Sequence, residues 1–292
     1  MKALVYTHPH EVTYRDEPDP ALADGESLLR IKAVGICGSD MHAYHGHDPR
    51  RVPPLVLGHE LAGEVIAGPH LGEHVTANPL ITCGTCEFCV QGRDNLCANR
   101  TMVGMTRPGG FAELMSIPAR CLIPVPETMS PVQTALTEPA ATVLHAVNAA
   151  ARASHRPLAE GSALVLGGGA IGLLTALLLR ARGVREIWLA ETNPLRRETA
   201  AATGACRPFD PRESADGAMP LAGAVDTVID AVGAVATRQT ALVAVKPGGV
   251  VVHVGLQDWA SELDGRRLTL AEIALVGVYT YTMADLRATV RA

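Results

Sequence analysis

Short alternating runs of apolar and polar residues fill the first third of the chain, and longer buried runs replace them after Ser162. The runs Ala3–Tyr6, Val12–Arg15, Ser27–Val34, Leu61–Ala67 and Val75–Ala77 predict strands, and Phe111–Ile117 and Cys121–Val125 add two strand-like pieces. Pro and Gly punctuate them, as in EPDP from Glu17 and LADGE from Leu22, so a β-rich domain of antiparallel or mixed sheet is expected. Ser130, Pro131 and Gln133 combine an N-cap, a proline at the first helical position and a capping box. An Ala-rich helix from about Pro139 to Arg152 then links to the second part.

There the runs Ala163–Leu166, Glu186–Ala190, Val225–Ile229, Val250–Val254 and Leu275–Tyr279 alternate with helical stretches, and a weaker run at Cys206–Pro208 makes a sixth strand. Asn193-Pro194 is another N-cap with proline behind it. Such alternation predicts a doubly wound parallel sheet. The fold class is therefore α/β, with a β-rich domain over residues 1–140 and a parallel-sheet domain over 141–292. The longest apolar run, Ala163 to Leu179, holds four glycines. It is too short and too broken for a membrane span, which needs roughly 20 residues.

The formal net charge of -5 argues against a nucleic-acid or anionic-membrane partner. The N-terminus has no apolar run behind a basic start, so no secretory leader is expected. Of the seven cysteines, Cys83, Cys86, Cys89 and Cys97 lie in one short stretch spaced C-x2-C-x2-C-x7-C. An odd total fits a disulfide framework poorly, and the cluster reads as metal binding in the reducing cytoplasm. Four thiolates on short spacers form the closed shell of a structural zinc; an iron–sulfur cluster or disulfides are the alternatives.

After the run Ala163–Leu166 comes Gly167-Gly168-Gly169-Ala170-Ile171-Gly172, a GxGxxG that opens a helix. Gly167, Gly169 and Gly172, with the amide of Ile171, suit a tight turn and close approach to a dinucleotide pyrophosphate. Glu191 ends the next strand, where a carboxylate can bind both ribose hydroxyls and repel a 2′-phosphate, favouring NAD over NADP. Arg196 is the counter-signal, and Arg197 reads as a solvated helix face. A third feature is the segment Val34–Glu60, which sets Cys37, Ser39, Asp40 and His42 close together and then His59-Glu60. Cys and His suit a zinc ion with one open position.

Cys37-Gly-Ser-Asp with His42 two residues on, Gly58-His-Glu, the four-cysteine stretch and the glycine turn, in this order, resemble the zinc-dependent medium-chain alcohol dehydrogenase family. The resemblance runs from Met1 to about Thr282 and is greatest to the sorbitol (polyol) dehydrogenase branch. It implies a GroES-like catalytic domain, a Rossmann coenzyme domain, and an active site in the cleft between them. It also implies one catalytic and one structural zinc, and oxidation of a secondary alcohol to a ketone with hydride transfer to NAD. A homodimer or homotetramer is expected, with Leu275–Tyr279 as the edge strand for pairing.

Carried over residue by residue, the resemblance makes Cys37 and His59 ligands of the catalytic zinc, and Glu60 a ligand or its close neighbour. Glu138 stands where the polyol branch has a carboxylate near the metal; its other reading is a first-turn partner of the helix dipole. Ser39 takes the alcohol proton and passes it toward the coenzyme ribose and then His42, whose other reading is an ordinary exposed histidine, and Asp40 orients a ligating imidazole. Val254, Gly255 and Leu256 line the coenzyme, a turn with local capping being their other reading. His45, His47, Asp48, Arg50 and Arg51 read as solvated loop residues; the alternative is that they shape the substrate pocket, with the arginines meeting a phosphorylated or acidic sugar. Family members continue past the last strand and return to the catalytic domain; here a short helix capped by Thr282 and Asp285 ends at Ala292, so that domain is expected to lack its closing segment. An inactive homologue that binds zinc and nucleotide is the competing reading, and a zinc-free quinone reductase has no use for the ligand residues.

Overall fold

In the computed structural model, which describes residues 1–213 and 221–292, the period-two alternation of the first third becomes antiparallel strand. In chain order these elements are β1 (Lys2–His8), β2 (Glu11–Asp16), β3 (Glu26–Gly35), α1 (Gly38–Tyr44), β4 (Leu55–Val56), β5 (Glu60–Ala67), β6 (His74–Ala77) and β7 (Leu80–Ile81). They are followed by α2 (Glu87–Val90), β8 (Thr101–Met102), β9 (Leu114–Pro118), β10 (Leu122–Pro124), α3 (Pro131–Ala135) and α4 (Thr137–Ala153). The central sheet runs β10-β6-β5-β3-β9, beside a sheet β2-β1-β4 and the pair β7-β8. Its inward positions Leu29, Leu61, Val65, Val75, Met115 and Ile117 form one core. The register sets Gly35 opposite Glu60 and Val34 opposite Leu61, so the end of β3 and the start of β5 lie side by side.

Two strands of the first unit start later than the alternation predicts. β9 starts at Leu114 rather than Phe111, because Gly109 and Phe111 give their N–H groups to the carbonyls of Val56 and Leu57. Cys121 lies in a 3-10 turn, and the strand after it begins at Leu122.

The second unit is built from β11 (Ser162–Leu166), α5 (Ala170–Ala181), β12 (Glu186–Ala190), α6 (Pro194–Ala202) and β13 (Arg207–Phe209). It continues with β14 (Val225–Asp230), α7 (Val235–Ala244), β15 (Val245–His253), α8 (Gly265–Leu270) and β16 (Ala274–Gly277). The six strands pair in parallel in the order β13-β12-β11-β14-β15-β16. The order reverses between β11 and β14, the place where open α/β sheets bind ligands at their carboxyl ends. Asn193 caps α6 as its sequence signature implies, accepting from the N–H groups of Leu195 and Arg196.

The two compact units comprise Met1–Ala141 with Tyr281–Ala292, and Thr142–Thr280. The last residues, read in sequence as the end of the second domain, thus pack with the first unit. The last helix, α9 (Met283–Arg291), starts in a capping box in which Asp285 N donates to Thr282 Oγ1 at 3.1 Å and Thr282 N to Asp285 Oδ2 at 3.0 Å. Tyr281 and Leu286 are fully buried in a cluster with Ile123 and Ala141. Met283 N donates to the Asp94 carboxylate at 3.2 Å. If this helix is integral to the first unit, Leu286→Ala should cost about 2–5 kcal/mol in urea or thermal unfolding. An unchanged midpoint would overturn that packing.

Candidate active site and metal centres

Cys37 is the residue before α1, and His59 and Glu60 stand at the start of β5; the β3–β5 register brings them together. One potential ligand atom from each of Cys37, His59 and Glu60 lies within 4.8 Å of the other two. His59 and Glu60 are buried. Gly35 makes the room: an added Cβ there would stand 2.1 Å from Glu60 Oε2. Asp40 Oδ2 accepts the N–H of Cys37 at 3.0 Å, and Asp40 Oδ1 faces His59 Nδ1 at 3.5 Å. The second contact is electrostatic, since neither of its two buried atoms has a hydrogen-bond partner among the described residues. With Nδ1 turned to Asp40, the imidazole keeps Nε2 for a ligand, as second-sphere carboxylates arrange in metal sites.

Burial and the nearby Glu138 carboxylate push Glu60 up to about 7. Burial also disfavours charge on His59, but Asp40 and Cys37 outweigh it and raise the ring well above its ordinary value. Glu138 itself, in the first turn of α4, is fully buried, and burial raises its pKa. Its Oε1 accepts from the Tyr281 hydroxyl at 2.8 Å. Glu138 is not one of the three residues whose ligand atoms converge. A soft thiol, an imidazole and a carboxylate converging in a buried pocket form a donor set that fits a zinc-type ion.

Thiols of Cys83, Cys86, Cys89 and Cys97 form the other cluster, all within 4.8 Å of one another, and every cysteine is free of disulfides. The sulfurs of Cys86 and Cys89 are 3.5 Å apart and those of Cys83 and Cys89 3.9 Å. A tetrahedral ion with metal–sulfur bonds of about 2.3 Å asks for about 3.8 Å. Backbone N–H groups of Thr85 and Cys86 pull the Cys83 thiol down to about 5, toward the thiolate that ligates.

Ser39 lies in the first turn of α1, with its Oγ accepting from Arg51 Nη2 at 3.0 Å. His42 is half-buried, and burial together with His47 lowers its pKa. No hydrogen bond joins Ser39 to His42 among the described residues. The sequence reading missed three residues here, one of them Asp48, read as a solvated loop residue but buried. Arg51, read the same way, is also buried, and Tyr281 drew no reading at all.

In the second unit, Gly167 takes φ +95° and an added Cβ at Gly172 would sit 1.8 Å from the Gly167 carbonyl oxygen, so glycine is needed at both. Gly169 is the residue before α5, and Ile171 lies in its first turn. Gly168 N donates to Glu191 Oε2 at 2.7 Å, and Asn193 N to Glu191 Oε1 at 2.8 Å. Burial opposes these bonds but loses, and Glu191 stays below its ordinary pKa. Arg196 Nη1 lies 3.8 Å from the same carboxylate. Arg197 is half-buried and paired rather than freely solvated: it donates to the Glu191 carbonyl at 2.8 Å and to Asp210 at 2.9 Å. Val254 N and Gly255 N both donate to the Asp230 carbonyl at 3.0 Å, which holds this turn at the strand ends; Leu256 beside them is exposed.

A parallel sheet with a glycine turn at its switch point, and a β domain with a Cys–His–Glu cluster, define an oxidoreductase architecture of the zinc- and NAD(P)-binding kind. Two family models divide the chain accordingly: the alcohol dehydrogenase GroES-like domain matches residues 23–127, and the zinc-binding dehydrogenase matches residues 170–292. L-galactonate-5-dehydrogenase of Escherichia coli is 35% identical, covering 98% of this chain and 85% of its own length. L-threonine 3-dehydrogenase of Pectobacterium carotovorum is 30% identical over 98% of this chain and 85% of its own. A zinc-binding dehydrogenase from Sinorhizobium meliloti, solved with NADP, is 31% identical with a TM-score of 0.87, covering 99% of this chain and 87% of that one. The chain belongs to the zinc-dependent medium-chain alcohol dehydrogenase family.

No helix among the described residues is long and apolar enough to cross a membrane. Cys89→Ser should remove one bound metal ion per chain, read by elemental analysis, and lower the thermal midpoint. Unchanged metal stoichiometry would count against the four-thiol centre.

Proposed function

We propose that this chain oxidises a secondary alcohol of the polyol or polyhydroxy-acid kind to the ketone, with NAD as hydride acceptor and one proton released. The convergence of Cys37, His59 and Glu60 carries the reading, because a buried Cys–His–carboxylate set has no evident structural use. When bound, zinc at this cluster supplies Lewis-acid polarisation of the alcohol oxygen, and the nicotinamide of NAD accepts the hydride.

The chain's own residues do the rest. Cys37, His59 and Glu60 hold the metal, Asp40 keeps the imidazole oriented, and Glu138 stands by as a buried carboxylate held by Tyr281. Ser39 accepts the alcohol proton and passes it by way of the coenzyme ribose to half-buried His42, whose charged form burial disfavours and which can release it to solvent. Cys83, Cys86, Cys89 and Cys97 hold a second, structural zinc.

Gly167, Gly169, Ile171 and Gly172 receive the pyrophosphate, Glu191 the ribose, and Val254, Gly255 and Leu256 the nicotinamide end. An ionised Glu191 repels a 2′-phosphate, so NAD is the preferred coenzyme. The neighbouring Arg196, and the NADP in the Sinorhizobium meliloti relative, are the counterweights. The name of the Escherichia coli relative specifies a polyhydroxy acid oxidised at an interior carbon, which supports the substrate class. The chain is expected to form a homodimer or homotetramer, with β16 at the edge of its sheet as the pairing strand.

The direct test is NADH formation over a panel of polyols, sugar acids and simple secondary alcohols, with metal content measured in parallel. Turnover on polyhydroxy substrates is expected, with kcat/KM for NAD at least about 10-fold above that for NADP. Full metal and nucleotide binding without turnover would instead favour an inactive homologue. Ser39→Ala should lower kcat by about 100-fold while leaving NAD affinity in place; equal losses in both would remove the relay role.

A further inference from the structure

Arg51 carries a guanidinium whose side chain has no solvent exposure. A buried guanidinium is costly unless its N–H groups find acceptors, since it cannot lose its proton. Here Nη1 donates to Asp48 Oδ2 at 2.5 Å, Nε to the Gly104 carbonyl at 3.1 Å, and Nη2 to Ser39 Oγ at 3.0 Å. Asp48 is buried too and is clamped from the other side by Arg50, whose Nε and Nη2 reach its two oxygens at 2.8 and 2.9 Å. Burial works against the charge on Asp48, but the two arginines hold its carboxyl down at about 2, so the anchor is permanently ionised. The result is a fixed line Arg50–Asp48–Arg51–Ser39 inside the first unit. Buried ion pairs are weak contributors to stability when compared with apolar packing, so the arrangement calls for another use.

We propose that Arg51 is a positioning residue for Ser39, fixing which way the serine hydroxyl can take and give a proton. A hydroxyl offers one donor and two acceptor lone pairs. Arg51 fills one lone pair and can only donate, so the Ser39 proton must point away from it. The second lone pair is left for the alcohol's hydroxyl, and the serine proton is left for the next acceptor. Proton uptake and release at Oγ then share one hydrogen-bonding geometry, and the side-chain rotamer is fixed along with it. This inference rests on the reading of Ser39 as first proton acceptor. The competing role is purely structural: Arg51 ties the turn at residues 48–51 to the Gly104 carbonyl.

A double-mutant cycle separates them, using the full metal-loaded chain with NAD and the best alcohol from the substrate panel. The variants are Arg51→Met, Arg51→Lys, Ser39→Ala and Arg51→Met with Ser39→Ala. Arg51→Met should lower kcat by about 10-fold with KM for the alcohol little changed. Arg51→Lys should recover part of that loss, and Arg51→Met should cost nothing further once Ser39 is alanine. Should Arg51→Met fail to fold, Asp48→Asn with Arg51→Met, which removes the buried carboxylate together with its partner, takes its place in the cycle. Losses that multiply in the combined variant, or a fall in thermal midpoint and metal content with no kcat loss, would overturn the positioning role. If Ser39→Ala alone leaves kcat intact, the relay reading has failed, and the inference falls with it by a route visible in that single variant.

Discussion

The Cys37–His59–Glu60 cluster depends on how one carboxylate, Asp40, is held. One of its oxygens accepts the N–H of Cys37 and so fixes the first turn of α1; the other faces His59 at the start of β5. These are the two segments that bring the thiol and the imidazole, and the β3–β5 ladder sets their separation. The ladder alone fixes the backbone. Asp40 fixes the imidazole's rotation, because a buried ring with no partner on Nδ1 could present either nitrogen. Gly35 completes the arrangement from the β3 side by leaving space that only the Glu60 carboxylate fills. Three short-range choices, a glycine, a helix-capping aspartate and a His-Glu pair, thus converge only because one antiparallel register joins them.

The parts of this site that could be read from the sequence are the parts whose partners are near in the chain. The four thiols converge because their spacers are short, and the glycine turn is legible because Gly172 must clear the Gly167 carbonyl, five residues before it. Caps at Ser130, Asn193 and Thr282 are of the same local kind. Arg51 and Tyr281 were not legible, because what buries them is distant: Gly104 for one, Glu138 for the other. An arginine pair after Asp48 has the composition of a solvated loop, and only the fold turns one of the two inward. Arg197 was misread for the same reason, its partner Asp210 lying beyond the next strand start. The strand alternation failed around Gly109–Phe111, where N–H groups bond the segment before β5 instead of extending β9, and at the last strand, where β16 ends at Gly277 rather than Tyr279.

Glu60 and Glu138 pose the remaining electrostatic question, and the fold answers it by treating them differently. Both are pushed up by burial, and Glu60 is pushed up further by the Glu138 charge. Glu60 points at the thiol and imidazole, so a divalent cation there would meet one thiolate, one carboxylate and a neutral ring, a set whose charges would cancel. Glu138 adds a further negative charge only if ionised, and the Tyr281 hydroxyl favours that form while full burial opposes it. Burial is the larger effect, so Glu138 sits closer to the neutral acid than an exposed glutamate would. The cluster therefore has one carboxylate that converges with the thiol and imidazole and a second, held by Tyr281, whose charged form burial disfavours. Tyr281, from the last segment of the chain, is what keeps that second carboxyl in place. The segment Tyr281–Ala292 thus contributes to the site's electrostatics as well as to the packing of the first unit.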